Sequence, residues 1–233
     1  MKAVILQPSY IPWRGYFHQA QKADVFVFYD DVQYDKRGWR NRNRIKTAAG
    51  PRWLTIPVRA RGAQIEHTPI NTVRVCWDEP WNETHWKSIC HAYSKAPFFK
   101  SFAPLLEERY SSHPELLADF TIELTLALAQ VLGLTNTRFL RSSELVGITG
   151  TKTERLLSIL QNIGATHYIS GPAARSYIEE PLFEAAGISL EYMAYDYPEY
   201  PQLYPPFEAQ VSILDLLFMT GPEALRYLET RSA

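Results

Sequence analysis

Residues 3–29 read Ala3-Val-Ile-Leu-Gln-Pro-Ser-Tyr-Ile-Pro-Trp-Arg-Gly-Tyr-Phe-His-Gln-Ala-Gln-Lys-Ala-Asp-Val-Phe-Val-Phe-Tyr29, and this stretch decides the fold. Ala3–Leu6 is a short apolar run stopped by Gln7-Pro8, the pattern of a buried strand. Arg14–Lys22 reads as a short helix, and Val25–Tyr29 as a second strand. Strand, helix and strand in so short a span form a βαβ unit, whose crossover requires parallel pairing.

The rest of the chain extends this unit. Trp53–Val58 reads as a strand followed by a loop over Arg59–Gln64. Helices are predicted over Asn82–Ala96, Lys100–Tyr110 and Pro114–Leu132, the last closed by Gly133. A short strand follows at Arg138–Leu140. Thr151-Lys-Thr-Glu154 has the form of a capping box, and Leu156, Ile159, Leu160 and Ile163 then share one helical face. His167–Ser170 and Ile188–Ala194 read as strands, with a helix near Ile178–Ala186 between them. Two helices, near Ser212–Met219 and Pro222–Thr230, close the chain. The expected fold is one α/β domain spanning 1–233, a mostly parallel sheet flanked by helices. The helices around residues 80–135 form an insertion, with the option of a helical subdomain.

Composition narrows the functional classes. The 233 residues carry 24 Lys+Arg against 25 Asp+Glu, a net charge of −1. Such a balance argues against holding nucleic acid by bulk charge. Tyr, Phe, Trp and Pro are plentiful, at 14, 11, 6 and 16. Cys76 and Cys90 have no metal-ligand spacing, and the histidines are scattered, so neither a metal nor a cofactor is expected. No apolar run approaches the ~20 residues that cross a bilayer. The apolar start is too short for a signal peptide, which predicts a cytoplasmic protein with reduced thiols.

In open α/β sheets ligands bind beyond the carboxyl ends of the strands. Those ends carry Gln7, Asp30-Asp31, Ser170-Gly171 and Tyr195-Asp196. Three local features add chemistry. In Gln7–Phe17, prolines fix the backbone and Tyr10, Trp13, Tyr16 and Phe17 supply rings; the stretch reads equally as a rigid turn with core aromatics or as a ligand wall beside Gln7. In Lys36–Lys46, six of eleven residues are basic and none is acidic. There Asn41 and Asn43 alternate with Arg40, Arg42 and Arg44, so an extended strand places the amides on one face and the guanidiniums on the other. Guanidinium forks suit phosphate or carboxylate, which favours an anionic ligand. In Ile148–Arg155, Lys152 at a helix start could meet an anion, although capping alone accounts for Thr151 and Glu154. No nucleophile elbow is present, and Cys90 and His91 point apart on a helix.

Together Gln7–Phe17, Tyr29-Asp-Asp-Val-Gln33, Lys36–Ile45 and Leu54-Thr-Ile-Pro57 resemble the WbqC-like family. Ala92–Phe99, Tyr168-Ile-Ser-Gly171 and Ser212–Leu217 extend the resemblance over nearly the whole chain. It implies a bacterial enzyme of surface-polysaccharide (O-antigen) or natural-product biosynthesis that acts on an amino sugar or related amine. The acyl or aminoacyl transfer it suggests, for example of glycine, needs a base and oxyanion donors. Asp31 is the candidate base, and Gln7, Asn41 and Asn43 are the candidate amide donors. The substrate-binding set is Tyr10, Trp13, Asp30, Gln33, Lys36, Arg37, Trp39, Arg40, Arg42, Lys152, Ser170 and Gly171. An acyl or aminoacyl carrier protein is a further candidate partner. Two other readings stay open: ATP-dependent nucleotidylyl transfer, although His-x-Gly-His is missing after the first strand, and non-catalytic binding in a glycan pathway.

Overall fold

The computed structural model describes residues 1–35, 38–59 and 68–230. Strands β1 (Lys2–Leu6) and β2 (Val25–Phe28) flank helix α1 (Arg14–Lys22), as the opening stretch predicts. They pair in parallel, Ala3 opposite Val25 through Leu6 opposite Phe28. Both strands are buried on both faces, which explains why they are continuous apolar runs and not alternating ones.

The chain then leaves the sheet. A hairpin of β3 (Arg42–Thr47) and β4 (Gly50–Thr55) is followed by the small pair β5 (Val58–Arg59) and β6 (Arg74–Val75). The single strand expected over Trp53–Val58 is broken at Ile56-Pro57, because proline cannot donate to a ladder. Most of the loop expected over Arg59–Gln64 lies outside the described residues. Helices α2 (Trp81–Tyr93), α3 (Phe99–Ser111) and α4 (Leu117–Val131) form the insertion. They share one hydrophobic cluster with Phe17 of α1, Phe26 of β2 and Ile45 of β3.

The sheet resumes with β7 (Arg138–Arg141), α5 (Lys152–Asn162), β8 (His167–Ser170), α6 (Glu180–Ala185) and β9 (Ser189–Tyr192). Helix α7 (Ile213–Thr220) follows, and the last expected helix is a 3-10 segment, Gly221–Tyr227. Thr151 stands just before α5, but its hydroxyl makes no capping bond, so the expected capping box is not formed. Lys152 instead starts the helix at φ +48°.

The five parallel strands run in the order β7-β2-β1-β8-β9. Ile5 and Val27 pack on Leu156 and Leu160 of α5, whereas Val4, Phe26 and Phe28 belong to the opposite cluster with α1. The sheet is therefore covered on both faces, as a parallel sheet must be. Counting only its own strands, the order is 3-2-1-4-5, and the direction of winding reverses at β1. Across that point β1 pairs with β8 at Lys2–His167 and Ala3–Tyr168 alone. A crevice opens beyond those pairs, where doubly wound sheets bind ligands. Among the described residues, no helix is long and apolar enough to cross a membrane.

Candidate functional site

The turn after β1 is built before it is decorated. Arg40 donates through one terminal nitrogen to the carbonyls of Gln7 (3.0 Å) and Pro8 (3.3 Å). The Tyr16 hydroxyl donates to the Gln7 carbonyl as well, at 3.3 Å. Asn43 Nδ2 donates to the carbonyls of Tyr10 (3.0 Å) and Ile11 (2.9 Å), while its Oδ1 accepts from Arg44 N–H (2.8 Å). Ile11 has φ +36°, a conformation that a β-branched residue rarely takes. The Asn43 amide therefore clamps a strained turn from the neighbouring hairpin.

That turn aims rings into the crevice. The Trp13 indole lies over Gly15, where an added Cβ would come within 2.3 Å of it. Trp13 meets Tyr195 edge-on, with centroids 4.9 Å apart. Gln19, buried on α1, donates from Nε2 to the Tyr195 hydroxyl at 2.9 Å. A Cβ at Gly171 would sit 3.4 Å from the same hydroxyl, so Gly171 and Tyr195 lie close together at this edge of the crevice. The result is a pocket of about 430 Å³ between the ends of β1 and β8. Gln7, Ser9, Trp13, Tyr16, Gln19, Trp39, Arg40, Asn43, Gly171, Tyr195 and Gln210 are among its lining. Its volume is that of a small-molecule site, with aromatic walls and a few polar groups.

Burial sets the charge state of this lining. It pulls the Arg40 guanidinium below its ordinary value, partly offset by Tyr16 and Asp35, and pushes the Tyr195 phenol up to about 12. The tyrosines are thus neutral hydroxyls, and among the described residues Arg40 is the one formally charged residue lining the pocket. Behind it, His18 Nδ1 is hydrogen-bonded to the Tyr197 hydroxyl at 2.8 Å, and burial, then Lys22, lowers its pKa to about 4.

A model of the WbqC-like protein family matches residues 7–227. The chain belongs to the WbqC-like protein family. It is 42% identical over 229 residues to the uncharacterized protein Rv1507c of Mycobacterium tuberculosis, covering 97% of each chain. A Zn(II)-bound mutant variant of AdcAII from Streptococcus pneumoniae aligns over 83% of this chain and 88% of its own. At 12% identity and a TM-score of 0.19, that likeness carries no argument.

The family motifs are brought together only in part. Gln7, Trp13, Trp39, Arg40, Asn43 and Gly171 meet at the pocket. Tyr10 does not form its wall: it is fully buried, its hydroxyl bonded to His85 Nδ1 (2.8 Å) and the Tyr110 hydroxyl (2.5 Å). Asn41 is buried too and donates to the Ile56 carbonyl, which leaves both expected asparagine donors occupied with backbone. Asp30 and Asp31 sit at the end of β2, outside the pocket lining. Ser143 donates to Asp30 through its N–H (3.0 Å) and its hydroxyl (2.8 Å). Asp31 accepts from Ser142 (2.6 Å) and pairs with Arg155 at 2.5 Å. This closed network joins β2, β7 and α5 and leaves Asp31 poorly placed as a base. Gln33 bridges to Pro69, Ser170 is buried, Arg42 stacks on Trp53 and Lys152 is exposed at α5, none of them lining the pocket. Lys36 and Arg37 lie outside the described residues.

Among the polar lining residues, Gln19 and Gln210 escaped the sequence reading, and Ser9 was covered only as part of the Gln7–Phe17 stretch. Gln19 lies one turn from Tyr16 on α1, so helical spacing from an identified wall residue could have found it. Gln210 comes from an irregular segment with no periodic signal. Among the described residues, no group of three or more His, Cys, Asp or Glu could hold a metal ion.

Proposed function

We propose that this WbqC-like protein is a transferase of surface-polysaccharide or natural-product biosynthesis that forms an amide on an amino sugar held in the switch-point pocket. The observation that carries the reading is the chemistry of the lining. Trp13, Trp39 and Tyr195 offer ring faces to the apolar C–H surface of a sugar. Gln7, Gln19 and Gln210 are amides, which both donate and accept and so suit hydroxyl groups. Among the described residues, no carboxylate or imidazole lines the pocket, and Arg40 adds positive charge. A cationic ammonium is disfavoured beside Arg40, so the acceptor reacts as the neutral amine.

The proposed step uses these groups as follows. The amine nitrogen attacks the carbonyl carbon of an activated aminoacyl thioester, and a C–N bond forms. Arg40 stabilises the charge that develops on the carbonyl oxygen. The C–S bond then breaks, and the departing thiolate takes up the proton that nitrogen releases. An acyl or aminoacyl carrier protein would be the natural bearer of that thioester. Asp31, tied to Arg155 and Ser142, is not required.

Incubation with UDP-glucosamine and a glycyl thioester tests this reading by mass spectrometry. The expected product carries one added glycyl group, and Arg40→Gln slows its formation by roughly 10²–10³-fold. Tight binding without any change of mass would make the protein a binding module of a glycan pathway instead.

A further inference from the structure

Beside the pocket mouth, Trp39 and the β3–β4 hairpin carry two exposed indoles with half-buried arginines against them, a feature that the transfer reading leaves unused. Trp39 and Trp53 are 42% and 46% exposed, and their rings lie 5.2 Å apart with an interplanar angle of 31°. Two large indoles exposed side by side need a reason that scattered surface residues do not. The Arg42 and Arg44 guanidiniums stand 4.8 and 5.6 Å from the Trp53 ring centroid. Arg44 also donates to Gln210 (3.0 Å) and faces the Glu208 carboxylate at 3.9 Å, so for a phosphate Arg42 is the main contact and Arg44 must exchange those partners to join it. Register explains the cluster, since Arg44 is the cross-strand partner of Trp53 and Arg42 lies two residues before it on the same face. From Gly38 to Arg59 the chain carries six basic residues (Arg40, Arg42, Arg44, Lys46, Arg52 and Arg59) and no Asp or Glu, although the whole protein is near neutral. Trp39 belongs to both places, lining the pocket and completing the indole pair.

We propose that Trp39, Trp53, Arg42 and Arg44 form the docking site for a nucleoside diphosphate, with the sugar attached to it reaching into the pocket past Trp39. The inference rests on the sugar reading of the pocket and names the form in which that sugar arrives. A nucleobase is planar and stacks on indole, and a diphosphate matches guanidinium forks. The phosphate-bearing arm of a carrier protein would use the arginines and leave the indoles without a partner. A single-stranded nucleic acid needs a longer cationic track than one hairpin on a chain of net charge −1.

Calorimetric titration of the full chain with UDP, inorganic pyrophosphate and oligothymidylate tests the proposal. UDP is expected to bind at least about tenfold more tightly than pyrophosphate, the share that stacking of one base supplies. Trp53→Leu removes that advantage and leaves pyrophosphate binding unchanged, while Arg42→Gln weakens UDP and pyrophosphate together. Equal affinity of the wild-type protein for UDP and pyrophosphate overturns the proposal and needs no variant. So does a Trp53→Leu effect that is absent or the same for both ligands, or tighter binding of oligothymidylate than of UDP. Base-dependent UDP binding without amide formation would leave this site standing and remove the transfer reading. Acylation of free glucosamine by a protein that ignores UDP would do the reverse.

Discussion

Asn43 is a donor spent on the fold, and replacing it tests that role. Its Nδ2 holds the carbonyls of Tyr10 and Ile11 at 3.0 and 2.9 Å, in a side chain only 3% exposed. Asn43→Leu keeps much of the volume but strands two acceptors, each costing about 1–3 kcal/mol when buried without a partner. The left-handed Ile11, which itself costs on the order of 1–3 kcal/mol, loses the clamp that imposes it. A total loss of about 2–5 kcal/mol is expected, or roughly 5–15 °C in Tm for a domain of this size. Asn43→Asp should be at least as damaging. Its carboxylate can still accept from Arg44 N–H, but it turns a negative oxygen toward two carbonyl oxygens. Urea unfolding followed by tryptophan fluorescence measures both. Stability within about 0.5 kcal/mol of the wild type for Asn43→Leu would refute the clamp and return the amide to the pocket as a ligand donor.

Other perturbations separate the pocket from its frame. Gly15→Ala places a Cβ against Trp13, so it should swing the indole out of the wall and weaken UDP-glucosamine binding by tenfold or more; calorimetry with an unchanged affinity would contradict the packing. Burial, then Arg52, lowers the His85 pKa from 6.5 to about 4, so the unfolded chain binds the extra proton between these values and stability falls as pH drops from 6.5 toward 4. His85→Gln should flatten that limb by on the order of 3 kcal/mol, read as the difference between urea curves at pH 7 and pH 4. Asp31→Asn should cost stability through the lost Arg155 pair yet retain amide formation; abolished transfer in a folded variant would restore Asp31 as the base.

The opening βαβ unit was legible because strands buried on both faces leave an unbroken apolar signature, and Lys2–Leu6, Arg14–Lys22 and Val25–Phe28 follow it. Alternation in the basic run also showed which face Asn41 and Asn43 would share. What it could not show is that the shared face turns inward, where an amide serves the backbone as readily as a ligand. Asp30 and Asp31 looked catalytic because strand ends collect chemistry in α/β sheets. Only the strand order, with β7 beside β2, brings Ser142 and Ser143 onto them. Gln210 reaches the pocket from a segment without periodicity, and nothing local in the sequence marks it. The pocket itself became visible when the order 3-2-1-4-5 located the switch point between β1 and β8.

A crystal structure of the protein soaked with UDP-glucosamine tests that assignment most directly. The sugar is expected between Gln7 and Gly171, its amine beside Arg40 and its uracil against the Trp39–Trp53 pair. A nucleotide sugar seated instead at the Asp31–Arg155 edge, with the switch-point pocket holding only solvent, would contradict the account.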